Sequence, residues 1–115
     1  MAAFRILLVA MLIALGAYTA VTIANHGWNL LPVFFGDLAA MEWAGQFNAD
    51  FMSFLLLSAL WTAWRNNFSM QGLVLAPVAF FGGMLFLAIY LLILGFRAKS
   101  ISELVIGPMR AAAAP

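Results

Sequence analysis

The residues able to carry chemistry are concentrated in one stretch. From Asn25 to Asp50 the chain holds three of its four acids (Asp37, Glu42 and Asp50) and its only histidine, His26, with no lysine or arginine between them. Two carboxylates in unlike environments can work as an acid–base pair, and a histidine beside carboxylates can hold a metal such as zinc. Asp50, Asp37 and Glu42 are therefore the candidate catalytic acids, and His26 the candidate metal ligand. Each has a plainer reading. Their spacing follows no metal-site or acid–base pattern, and a lone histidine where an apolar run ends is ordinarily a solvated residue. An acid near the start of a helix, as Asp50 is expected to be, is favoured by the unpaired N–H groups and the dipole there. There is no phosphate-binding glycine loop, nucleophile elbow or zinc-helix motif. With no cysteines in the chain, a disulfide framework and a thiolate site are both excluded. No cofactor and no metal are expected.

The rest of the chain sets the solvent. Of 115 residues, 67% are hydrophobic and only 8% are charged, against roughly 25% charged in soluble domains. Too few polar side chains remain to cover a water-facing surface, so the expected solvent is lipid. A net charge of +1 supplies no basic field for nucleic acid.

The chain reads as one membrane domain, all-α, with three transmembrane helices at about 5–25, 47–65 and 72–96. Residues 6–24 carry no charge, and about 20 such residues cross the hydrocarbon core. This run is longer than the apolar region of a secretory signal, which spans about 7–15 residues, and it is read as a retained span. In the connector, 26–46, Pro32, Gly36, Asp37 and Glu42 interrupt the apolar run. A short interfacial or re-entrant helix over Leu31 to Trp43 is expected there. Asn66, Asn67, Phe68 and Ser69 form a polar turn between the second and third spans. In the third, Pro77 and the pair Gly82 and Gly83 are soft points. In the tail, 97–115, Ser100 and Glu103 have capping-box spacing before a short helix. The residues from Met109 onward are expected to fray.

Gly72, Ala76, Ala79 and Gly83 recur at helical spacing on the third span and are the candidate packing stripe, since small residues let helices approach closely. Trp28, Trp43, Trp61, Trp64, Arg65, Arg97 and Lys99 are the expected interface anchors, because indole rings and long cations favour the headgroup level. Three spans place Arg5 and Arg65 on one side and Arg97, Lys99 and Arg110 on the other. Two cations against three give the positive-inside rule almost nothing to act on. The same topology sets Asp37, Glu42 and Asp50 beside Arg97 and Lys99, where they could pair. A fourth crossing by the connector would segregate the cations better, but it would force two acids into hydrocarbon.

Three segments together carry a resemblance: Gly27 to Leu30 with Phe34 to Leu38, then Gln46 to Phe51 opening a span, then a third span holding Gly82 and Gly83 and ending at a basic residue. The chain resembles a bacterial family of small three-span inner-membrane proteins catalogued only as a domain of unknown function. In that family a polar connector leads into a helix with an early acid, a position Asp50 would match. The resemblance implies a location in the bacterial inner (cytoplasmic) membrane and a three-span topology, and names no reaction. The family's final span often has a proline near its end, which this chain lacks.

The expected function is that of a non-enzymatic integral membrane protein whose partners are the lipid bilayer and either further copies of itself or a larger membrane protein. Two alternatives place chemistry on Asp50: a membrane-embedded enzyme or subunit acting on a lipid or isoprenoid, with Asp37 and Glu42 as further acids, and an oligomeric carrier of cations or protons.

Overall fold

The computed structural model describes residues 1–113, and among these the secondary structure is entirely helical. The order is α1 (Ala2–His26), α2 (Leu31–Ala40), α3 (Trp43–Arg65), α4 (Met70–Arg97), α5 (Ile101–Ile106) and α6 (Pro108–Ala113). Two of these stretches, α1 and α4, are long and apolar enough to cross a membrane. The 23-residue α3 has comparable length, but its early turns carry Gln46, Asn48 and Asp50.

The local chemistry explains most boundaries. Gly27 ends α1 at φ +85°. Pro32 stands in the first turn of α2, where its missing N–H costs nothing. Met41 closes α2 in the left-handed region (φ 57°, ψ 37°). That turn frees Trp43 to begin α3, so the connector helix stops before Trp43 and the next helix starts four residues ahead of the expected Phe47. Asp50 consequently lies beyond the first turn of α3, which contains no acid, and the helix-terminus rationale for it does not hold. Asn67 and Phe68, both at positive φ, reverse the chain after α3. The Ser69 hydroxyl then caps α4 by accepting from the Gly72 N–H at 3.3 Å.

The expected third span is not a single crossing. Inside α4, Gly83 adopts φ 57° and ψ −140°, a region open essentially to glycine alone, and the helix doubles back there. Asn66 shows this directly. Its side chain stands against Gly72 in the first arm and donates to the Tyr90 hydroxyl in the second, residues that a straight helix would separate by about 27 Å. The two arms, 70–82 and 84–97, are each roughly 20 Å long by helical rise. Pro77 keeps helical geometry, so the glycine and not the proline breaks the run.

The hairpin of α4 is the centre of the packing, with α3 on one side and α1 on the other. The expected small-residue stripe is used within the chain. Gly72 lies against Ala63 and Asn66, and Gly83 against Phe51 and Leu55. Ala79 is fully buried and Ala76 half-buried. The start of α1 runs along the returning arm, since Arg5 donates to the Gly95 carbonyl at 2.8 Å and Gly16 faces Leu85. Beyond that point α1 leaves Tyr18, Val21 and His26 exposed. α2 packs on the start of α3, where Gly45 sits so close to the Asp37 carbonyl that a Cβ would overlap it.

The tail folds back on the end of α3. Ser100 caps α5 as its spacing predicts, accepting from the Glu103 N–H at 3.1 Å. Gly107 (φ +89°) and Pro108 then start α6, so the segment expected to fray from Met109 is helical through Ala113. Residues 114 and 115 lie outside the described residues.

Candidate functional site

The doubling of α4 sorts the charges. Both of its ends now lie with the start of α1, the end of α3 and the tail. Arg5 stacks on Phe96, 4.6 Å from the ring centre. Arg65, Arg97 and Glu103 line one cleft, and Arg110 reaches the last turn of α3. Lys99, two residues past α4, gives its N–H to the Glu103 carboxylate. All five cations of the chain occupy one end of the molecule. Asp37, Glu42, Asp50 and His26 occupy the other, and Asp50 alone is about 22 Å from Arg65 by helical rise. The expected pairing of these acids with Arg97 and Lys99 is thereby overturned.

At the acidic end Glu42, Asp50 and His26 are exposed, Asp37 is half-buried, and among the described residues no three metal-binding side chains come together. Trp28 and Trp43 are 83% and 78% exposed, as anchors at a headgroup level would be. Beside them an aromatic cleft of about 410 Å³ opens between α2, α3 and the turn of α4. Phe34, Phe51, Phe80 and Phe81 line it, and no acid does.

The cationic end is built with more polar contacts. Arg65 is 8% exposed. Its Nε donates to the Leu104 carbonyl at 2.7 Å and one Nη to the Glu103 carbonyl at 3.2 Å. Both carbonyls are in the last turn of α5: that of Glu103 also accepts the Gly107 N–H at 2.9 Å, whereas that of Leu104 faces Pro108, which has no N–H to offer, and a cation there also meets the negative end of the helix dipole. Arg110 returns the arrangement, giving Nη1 to the Trp64 carbonyl at 2.7 Å at the end of α3 while its guanidinium lies 3.9 Å over the Trp64 ring. Trp61 adds an indole N–H bond to the Val105 carbonyl at 3.0 Å. Trp61, Trp64 and Arg65 thus hold the tail in place, whereas Arg97 and Lys99 are exposed.

Between these parts lies a cleft of about 470 Å³. Arg65, Gln71, Tyr90 and Arg97 supply its polar wall, and Leu75 and Ile93 its apolar one. Gln71, Tyr90 and Arg110 were not among the candidates drawn from the sequence. The signal that would have found them is the glycine pair midway along a 28-residue apolar run. Taken as a reversal, it returns Tyr90 and Arg97 to the neighbourhood of Arg65.

No family model, curated protein or solved structure matches this chain. The likeness to the uncharacterised three-span family rests on the quoted residues alone.

Proposed function

We propose that this chain is an integral membrane protein that assembles with further copies of itself or with a larger membrane protein, and that it performs no chemistry of its own. In this reading α1 and α3 cross the bilayer and α2 lies at the far interface. The expected third span becomes a re-entrant helical hairpin, because arms of roughly 20 Å fall short of a hydrocarbon core of about 30 Å. Irregular backbone at membrane depth is tolerated where protein covers it, and Gly83 is buried. With all five cations at one end, the positive-inside rule assigns that end to the cytoplasm, in keeping with the bacterial inner membrane implied by the resemblance.

The observation that carries assembly is the second half of α1. Residues 17–26 expose Tyr18, Val21, Thr22, Asn25 and His26, and the groove along them is lined by α1 alone. Polar side chains of a span face a bundle interior or a partner, because lipid offers them nothing. The enzyme and carrier alternatives both need acids gathered at a working point. No three of the acids and His26 come together among the described residues, and the aromatic cleft that would accept a lipid chain is lined by no acid.

The test uses the absence of cysteine in the chain. Val21→Cys is oxidised in native membranes, and the protein is then extracted gently with everything bound to it. A disulfide-linked dimer or a stoichiometric membrane partner supports assembly. A monomer whose thiol reacts freely with a lipid-soluble maleimide sinks it.

A further inference from the structure

We propose that the cleft between the arms of α4 binds the phosphate of an anionic phospholipid, with a lipid chain against Leu75 and Ile93. The inference rests on the membrane reading above and concerns a different part of the molecule from the assembly face.

The donors are already in place. Arg65 is nine-tenths buried, and two of its three nitrogens are engaged by the carbonyls of Leu104 and Glu103. Nη1 has no acceptor among the described residues, and the residue lines the cleft. The Tyr90 hydroxyl accepts from the Asn66 amide at 2.8 Å, so its own hydrogen is free to be donated. The Gln71 amide and the exposed Arg97 complete the polar wall. Guanidinium groups suit phosphate because their N–H groups form a planar fork that matches two of its oxygens.

Glu103 also lines the cleft, but its carboxylate accepts the Lys99 N–H. Two arginines therefore face one engaged acid. The apolar part of the lining belongs to both arms, with Leu75 from the first and Ile93 from the second. A lining that joins two arginines to apolar side chains fits a lipid with a charged head better than a free anion. Charge complementarity selects the lipid class, since the cationic end faces the leaflet whose anionic lipids attract such residues.

The experiment reconstitutes the full chain in phosphatidylcholine vesicles containing a minor fraction of phosphatidylglycerol. After mild detergent extraction, the retained lipid is measured by native mass spectrometry. The expected result is phosphatidylglycerol retained well above its share of the bilayer. Arg97→Gln should lower that retention about tenfold or more, the loss of one charge-assisted hydrogen bond to the phosphate. Gln71→Leu should lower it in the same direction, while Lys99→Gln, which alters a cation outside the cleft, should lower it distinctly less than Arg97→Gln. Equal retention of the two lipids, or equal loss in the Arg97 and Lys99 variants, overturns the site in favour of diffuse attraction. Release of phosphatidylglycerol by excess inorganic phosphate overturns the lipid assignment in favour of a small-anion site. A carbonate wash of the same vesicles separates the two levels. Protein washed off the bilayer overturns the membrane reading as well, whereas protein that stays without lipid preference overturns this inference alone.

Discussion

Asn66 donates its side-chain amide to the Tyr90 hydroxyl at 2.8 Å, tying the turn after α3 to the returning arm of α4. The same Asn66 side chain bears on Gly72 in the outgoing arm. One residue thus touches both arms of a helix that the hydropathy profile presents as a single rod, and the gathering of the cations follows from it.

The hairpin makes a topological prediction. Single cysteines at Ser69 and Lys99, both exposed, should be labelled by a membrane-impermeant maleimide from the same side of the bilayer, and a cysteine at Met41 from the opposite side. A straight third span would place Ser69 and Lys99 on opposite sides, so labelling of that kind would refute the doubling back.

Gly83→Val should destabilise the protein by roughly 1–3 kcal/mol, the usual strain of a side chain in a glycine-only backbone region. A Cβ there would also stand 3.3 Å from the Phe51 ring. The midpoint of unfolding in a dodecyl sulfate titration reads the change. Gly36→Ala, at a helical position with open space around it, is the control that should leave the midpoint in place or raise it, since alanine is the better helix former.

Arg65→Met should release the tail. Two carbonyls in the last turn of α5 lose a charged donor, and bonds of that kind are worth roughly 1.5–3 kcal/mol each. The measurement is protease cleavage between α4 and α6, expected to accelerate strongly in Arg65→Met and less in Arg65→Lys, which keeps the charge but not the fork. Unchanged cleavage would mean that the tail is held by Arg110 and Trp61 without Arg65.

Asp50→Asn should leave membrane insertion and the unfolding midpoint as they are, because Asp50 is exposed and stands beyond the first turn of α3. Pulse-labelling followed by carbonate extraction measures insertion. A loss of insertion would show that Asp50 has a structural task that its exposed position does not reveal.

Much of the helical layout was legible because it depends on neighbours in sequence. The uncharged run 6–24, the Pro32 entry to α2, the polar turn at Asn66 to Ser69 and the Ser100 cap on Glu103 are short-range effects. The structure reproduces each within a few residues. The misplaced start of α3 has a local cause as well, since Met41 takes a left-handed conformation that its residue type does not advertise.

The sequence by itself determined the helical class and two apolar stretches long enough for a bilayer, because hydropathy and capping are summed over adjacent residues. Only the tertiary structure decided what Gly82 and Gly83 do. A glycine pair permits a bend, a straight helix or a full reversal alike. The choice was made by contacts distant in sequence: Phe51 and Leu55 around Gly83, and Asn66 between Gly72 and Tyr90. The same contacts turned a two-against-three division of cations into a single cationic end.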